Sequence, residues 1–479
     1  MSPIANTTQT QDTEAGSLAR GLGFLAATAI VVGGIIGTGV FLKARVMTCN
    51  VGTPGLVMLA WVGAGMLSLA GALTYAELSA MMPRAGGEYI FMREAYGPRW
   101  AVVYGWTQVS ITYTASQAAK GIALAIFLNA LLGGALSGTF FTATIAGRLI
   151  PFGGVQIVAL TAIATMALIN CAAVAVNGTI SIVLTFLKAA LIVGIGIGAF
   201  LFAEGDWTHF AMSGASSACA GVASAARGGF AGFGAAMLGA LWAYDGWSNM
   251  TQIAGEVRNP ERNVPLGLIS GMLVVIALYL MVNAAYFYVL APADIAGVAV
   301  TSSVATEAAR RFLGALAVSF IAATMMTSTL GSLHTGVLAG ARIPFAMSRD
   351  GLFFKRLGIA TSGTHVPANA VIALAIWAGI LVLSGSFDEL TDSVIFASYL
   401  FYGLVTASVF IFRRTRPDAE RPYRAWGYPI LPAIFLAVTA WLLITTLITS
   451  PRQSLVGLVI VSLGFPIYWY FAREHRGSD

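Results

Sequence analysis

The sequence predicts an all-α integral membrane protein with twelve transmembrane helices, and three observations carry that prediction. Of its 479 residues, 58% are hydrophobic and only 10% are charged, whereas a soluble domain carries about 25% charged residues. Its mean hydropathy is +0.82, and apolar runs of about 20 residues, long enough to cross a bilayer as helix, recur from residue 22 almost to the end. Lys and Arg gather in alternate short links between those runs, where they set topology.

Residues 1–19 are polar and rich in Thr and Gln. They read as a disordered cytoplasmic tail, without the basic start and short apolar core of a signal peptide. Helices are expected at about 21–48, 55–82, 98–132, 154–174, 177–203, 230–256, 264–290, 308–346, 367–385, 390–412, 428–448 and 452–471, with a short tail at 472–479. Numbering them 1 to 12 with the N-terminus inside places seventeen Lys and Arg residues on the cytoplasmic side against seven outside. Lys120 and Lys188 are left within spans. That asymmetry orients the chain with both termini in the cytoplasm.

Two of these helices carry interruptions. Helix 1 contains IVVGGIIGTGVF (Ile30–Phe41), with Gly33, Gly34, Gly37 and Gly39 inside an apolar run; each interior Gly costs a helix about 1 kcal/mol relative to Ala. Helix 6 contains LWAYDGWSN (Leu241–Asn249), where Asp245 and Gly246 punctuate a similar run. Glycines in a single membrane helix often serve close packing. Two interrupted helices that each open a set of five spans are different, because an odd number of spans makes the two halves enter from opposite sides. This is the pattern of an inverted repeat with a transport site at its breaks: repeat one at about 20–203 and repeat two at about 230–412, together the core 20–412, with helices 11 and 12 (413–471) added. A break at mid-membrane frees backbone groups that lipid cannot satisfy. Amides near Gly37–Val40, at the start of the outer half of helix 1, would receive a carboxylate. Carbonyls near Ile35 and Ala243 would receive an ammonium.

At this point GIIGTGVF (Gly34–Phe41), YAELSAMMPRAGGEY (Tyr75–Tyr89) and LWAYDGWSNMTQIAGEVRNPERNVP (Leu241–Pro265) resemble the amino acid–polyamine–organocation superfamily. Within it they are similar to the L-amino-acid transporter branch, in the manner of a prokaryotic member, over about residues 20–450. The resemblance implies the LeuT fold with a 5+5 inverted repeat and broken helices 1 and 6. It further implies sodium-independent, alternating-access transport of L-amino acids across the plasma membrane, here a bacterial inner membrane. Exchange of neutral amino acids is the expected mode; proton-coupled symport, or acceptance of cationic substrates as well, stays open.

Carried over residue by residue, the resemblance places Ile35, Gly37, Thr38 and Gly39 at the substrate carboxylate. It places Trp242, Ala243, Tyr244 and Asp245 at the amine and the gate, with the Trp242 ring as the external gate. Asp245 either reads a basic side chain or accepts local backbone bonds. Lys188 matches a lysine that bridges helices 1 and 5 roughly where sodium-coupled relatives hold the ion; an ammonium at mid-membrane marks function by default, although a lysine can also snorkel to an interface. Lys120 has no counterpart in the family pattern and is a candidate vestibule residue, facing acidic substrates or Asp245. Glu77 and Glu256 match acidic positions near cytoplasmic arginines, as inner-gate pairs or ordinary interfacial bridges. His334 is either a proton-coupling group or a hydrogen-bonded packing residue.

The remaining features narrow partners and chemistry. Light chains of the branch it resembles usually carry, between helices 3 and 4, the cysteine that bonds a heavy subunit; the link here, at about 133–153, has none, so no disulfide-linked heavy subunit is expected, and the partners are an L-amino acid and the lipid bilayer. Cys49 and Cys219 share the outer side, which leaves pairing open, yet free thiols are the expectation. No metal-ligand spacing occurs among Cys49, Cys171 and Cys219. No cofactor is expected, and the sequence lacks the G-x-S-x-G, H-E-x-x-H and P-loop patterns of enzymes. The net charge of +6 is spent on topology, which argues against a nucleic-acid partner. A channel would want a lined pore, whereas a carrier accounts for both breaks and the repeat together.

Overall fold

The computed structural model describes residues 18–145, 148–214, 219, 222–299, 302–383, 387–449 and 451–476. Nearly all of the tail expected at 1–19, and the last three residues of the one at 472–479, lie outside the described residues. The first expected span is two helices, α1 (Phe24–Ile35) and α2 (Gly39–Val51), bent by 43° at a three-residue break. α3 (Pro54–Met81) follows, started by Pro54 and by the Thr53 hydroxyl, which accepts from the Leu56 amide. α4 (Glu88–Tyr96) leads to α5 (Pro98–Thr107), which continues through a π-turn at Gln108–Thr112 into α6 (Tyr113–Leu131). The antiparallel strands β1 (Thr139–Ile145) and β2 (Arg148–Gly153) precede α7 (Gly154–Asn170) and α8 (Val174–Phe202).

The second half opens with another interrupted span: α9 (Gly229–Ala243), a turn, and α10 (Asn249–Gln252). It continues with α11 (Pro260–Val289), α12 (Pro292–Gly297), α13 (Val304–Leu313), α14 (Ala317–Gly340), α15 (Arg342–Arg349), α16 (Ala368–Val382) and α17 (Phe387–Thr415). α18 (Ile430–Thr449) and α19 (Pro451–Arg476) complete it. Among the described residues, seven helices are long and apolar enough to cross a membrane, or eight counting α1 and α2 as one bent span; α7, α9 and α16 are shorter apolar helices.

α8 shows how such a helix is decoded. Its buried residues Asn177, Ser181, Thr185, Lys188, Ile192, Ile195 and Ala199 recur every three or four positions, while Val183, Phe186, Leu201 and Phe202 face outward. Polar groups turn inward to partners and apolar side chains turn to lipid, the only arrangement a bilayer tolerates.

Four local departures separate the structure from the sequence expectation. The link 133–153 is a hairpin, with Phe141 stacked on Phe152. The link after α3 contains α4, anchored where Tyr89 and Arg93 bond Asp350 and where Arg416 bonds Glu94 at 2.7 Å. That hydrogen bond from Arg416 holds the Glu94 carboxyl below its ordinary range. The helix expected at 308–346 is divided, since Gly314 adopts φ +56°, a left-handed value that interrupts helical backbone. α19 runs on to Arg476, past the end expected at 471.

The expectation of free thiols at Cys49 and Cys219 is corrected: the two form a disulfide, with Cα atoms 5.7 Å apart. The pairing arises because the C-terminal end of α2 is fastened to the segment before α9. Asn50 donates to the Ala226 carbonyl, and the Gly228 amide donates back to Asn50. Exchanging both cysteines for Ser should cost about 2–4 kcal/mol of stability. This would read as a lower melting temperature in detergent, matched in the wild type by adding reductant. An unchanged melting temperature would show that the bond carries no structural load.

At the opposite end of the bundle, the chain before α1 is tied to the chain after α10. The Leu22 amide donates to the Glu256 carbonyl at 3.0 Å, and the Arg258 amide donates to Leu22 at 2.8 Å. The two interrupted spans are thus joined near their ends as well as at their centres.

Candidate functional site

The glycine-rich break in the first span and the turn in the sixth meet face to face. A Cβ on Gly34 would fall 2.8 Å from the Gly246 carbonyl oxygen, and one on Gly246 would fall 2.7 Å from the Gly34 oxygen. Neither position has space for a side chain, so the backbones themselves are in contact. Gly39 packs as closely on Ala243, where its Cβ would come within 2.6 Å of that methyl. These glycines serve the approach of two broken helices.

Beside this contact lies a cavity of about 100 Å³, several times the roughly 10–15 Å³ that one water centre requires. Its wall includes Ile35, Gly37, Thr38 and Gly39 from the first break and Trp242, Ala243 and Asp245 from the second. Lys120 lines it from α6. Seven of the residues expected at a carboxylate, an amine or a gate therefore converge, with Lys120 beside them.

The first break presents donors. α2 begins at Gly39 with Thr38 as its N-cap, and the Thr38 side chain makes no capping bond. The Phe41 and Leu42 amides both turn to the Thr38 carbonyl. Among the described residues, the Gly37, Thr38 and Gly39 amides have no acceptor. Open amides and the positive end of a helix dipole make a site for an anion.

The carbonyls freed by the same break are largely satisfied by the protein. Lys188 is wholly buried, and its Nζ donates to the Gly33 oxygen at 2.6 Å and the Ile36 oxygen at 2.7 Å. A longer contact of 3.5 Å reaches the Ser328 carbonyl on α14. The Ser328 hydroxyl donates to the Ile36 and Gly37 oxygens, each at 3.1 Å. Lys188 sits behind the break and does not line the cavity; it joins α8, the first break and α14.

Tyr279 on α11 is a participant that sequence reasoning missed. Its hydroxyl donates to the Ala243 carbonyl at 3.0 Å and contacts the Ile35 carbonyl at 3.4 Å. Its single hydrogen serves chiefly the Ala243 oxygen, and each of the two carbonyls expected to receive an ammonium keeps a lone pair for it. A tyrosine in an apolar run carries no sequence signal for this.

Tyr244 departs from its expected place. It is buried outside the cavity wall, its ring against Trp61 and Tyr279. The turn that follows Ala243 directs Asp245 into the cavity and Tyr244 away from it. Asp245 accepts from the Tyr402 hydroxyl at 2.7 Å. Trp242 lies under Lys43, whose Nζ is 4.7 Å from the ring centroid, a cation–π arrangement at the edge of the site.

Glu88, inside the quoted YAELSAMMPRAGGEY motif but not singled out there, also lines the cavity. It accepts from Tyr104 and, at 2.6 Å, from the Gln252 carboxamide. The π-turn at 108–112 runs past the same wall, and such turns gather at functional sites.

Three other candidates lie apart from the cavity. Glu256 forms a fully buried two-point pair with Arg342, at 2.5 and 2.8 Å. Glu77 bonds Arg413 and approaches Arg421. His334 is buried between Asn170 and the Asn177 carbonyl, the surroundings of a packing residue. Among the described residues, no group of three or more His, Cys, Asp or Glu could hold a metal.

A family model described as amino acid permease matches residues 22–471. The chain is similar to the serine/threonine exchanger of Bacillus subtilis (strain 168), 29% identical over 97% of this chain and 100% of that protein. It is similar to the b(0,+)-type amino acid transporter 1 of Homo sapiens, 28% identical over 98% and 91%. It is also similar to the cystine/glutamate transporter of Homo sapiens, 29% identical over 95% and 85%. With a match that leaves out only its two ends, the chain belongs to the amino acid permease family, within the superfamily its motifs resemble, and is a transporter rather than an enzyme.

Proposed function

We propose that this protein is a sodium-independent exchanger of L-amino acids that binds the common amino-acid backbone at the two helix breaks. The observation that carries this reading is the contact of Gly34 with Gly246 beside a cavity lined by Gly37, Thr38 and Gly39, whose amides have no acceptor among the described residues. The substrate carboxylate takes those amides. Its ammonium takes the second lone pairs of the Ile35 and Ala243 carbonyls, with Trp242 as the outer gate. Lys188 supplies a fixed cation behind the break, which supports independence from sodium.

The reading extends to twelve spans in the LeuT arrangement, as an inverted pair of five-helix repeats followed by two helices. Both termini face the cytoplasm of a bacterial inner membrane, and no disulfide-linked second subunit is required. The B. subtilis relative's being an exchanger supports the coupling mode.

Counterflow in proteoliposomes tests it. Labelled amino acid should accumulate only in vesicles preloaded with unlabelled substrate, at the same rate with sodium or choline outside. Uptake that ignores internal amino acid and follows an imposed proton gradient would replace exchange with proton symport; strict dependence on sodium would remove the role given to Lys188.

A further inference from the structure

On the cavity wall, three residues carry complementary chemistry. Lys120 on α6 is partly buried, and its one hydrogen bond among the described residues is a 3.4 Å contact with the Ser332 carbonyl. Asp245 lies in the same wall, bonded to Tyr402, and its charge interacts with that of Lys120. Gln117, one helical turn before Lys120, is 95% buried, and among the described residues both its amide nitrogen and its oxygen lack partners. Gly336 leaves it the space, since a Cβ there would collide with the Gln117 amide.

We infer that Lys120, Gln117 and Asp245 select amino acids with a dipolar, uncharged side chain, a carboxamide or a hydroxyl, over apolar and charged ones. This rests on the exchange reading above and names the substrate class of the same site. An ammonium donates only, a carboxylate accepts only, and a carboxamide does both. Lys120 and Asp245 are one cation and one anion facing each other, while the Glu88 carboxylate on the same cavity wall is held by Tyr104 and Gln252. An anionic side chain would gain Lys120 but face Asp245, and a cationic one would gain Asp245 but face Lys120. An apolar side chain would strip water from both charges and from Gln117 without replacing a hydrogen bond, leaving buried polar groups unpaired. A dipolar side chain satisfies donors and acceptors together.

The test is competition against exchange of labelled L-glutamine by the full chain in proteoliposomes, using L-glutamine, L-serine, L-leucine, L-glutamate and L-lysine. In the wild type, glutamine and serine should compete at least tenfold better than the other three. Lys120→Met leaves Asp245 without its cation, so lysine should gain about tenfold while glutamate does not. Asp245→Asn leaves Lys120 without its anion, so glutamate should gain about tenfold while lysine does not. The double variant, with no net charge to strain folding, should lose the preference of glutamine over leucine. The inference is overturned if leucine competes best in the wild type, or if the double variant keeps the wild-type order. It is equally overturned if the single variants shift all five amino acids alike. Absence of exchange with every amino acid in the wild type would instead overturn the exchange reading itself.

Discussion

Lys188→Ala should reduce exchange by about a hundredfold or more while the chain still inserts and purifies as a single species, because two buried carbonyls lose their donor at about 1–3 kcal/mol each and a hundredfold is about 2.8 kcal/mol. Lys188 is fully buried near the middle of α8, on the face opposite the lipid-facing Phe186. Its ammonium reaches the Gly33 oxygen in the last turn of α1 and the Ile36 oxygen at the start of the break. Those oxygens are exposed by a three-residue gap in which helical bonding fails, and the bilayer has nothing to offer them. Lys188→Met separates charge from bulk, since it keeps most of the aliphatic stem and removes the donors. It should lose transport to nearly the same extent, whereas loss confined to Ala would point to packing alone. Rates of counterflow, normalised to protein incorporated in the vesicles, decide. Wild-type exchange by either variant would remove Lys188 from the mechanism.

How far the sequence could be read depended on whether a residue's meaning was local. The break in the first span was legible because four glycines in an apolar run have a cost that does not depend on neighbours. The turn at Asp245–Gly246 was legible because polar punctuation within helix 6 is visible in one dimension. Lys188 announced itself for the same reason, as a charge where lipid should be. Tyr279 did not, because its role is set by carbonyls on two other spans. The orientation of Tyr244 was equally hidden: the course of the turn after Ala243 decides which of two adjacent side chains meets the cavity. Cys49 and Cys219 are 170 residues apart, and what pairs them is the fastening of Asn50 to the loop before α9. Glu88 stood inside a quoted motif but could be placed against the cavity only once α4 was known to fold back beneath it.

Gly246→Ala should abolish measurable exchange, and its effect should exceed that of removing any single polar group on the cavity wall. Gly246 has φ +105°, a conformation that costs an L-residue roughly 1–2 kcal/mol. Its new methyl would also stand 2.7 Å from the Gly34 oxygen and 2.9 Å from the Gly34 carbonyl carbon. Those are backbone atoms, which cannot rotate away, so the two breaks must separate, and overpacking of this kind costs about 1–3 kcal/mol more. Gly34→Ala attacks the same contact from the other side, with a methyl 2.8 Å from the Gly246 oxygen. It should produce the same loss without the φ penalty. Gly194→Ala is the control, since it lies within α8 and a Cβ there meets nothing within 4 Å; exchange should be unchanged. The comparison separates two meanings of glycine in a membrane helix. If Gly34 and Gly246 are there only to lower helix stability, alanine at either should raise stability and leave some exchange. If they let two broken helices touch, alanine at either should uncouple the breaks and end transport, whatever it does to the melting temperature.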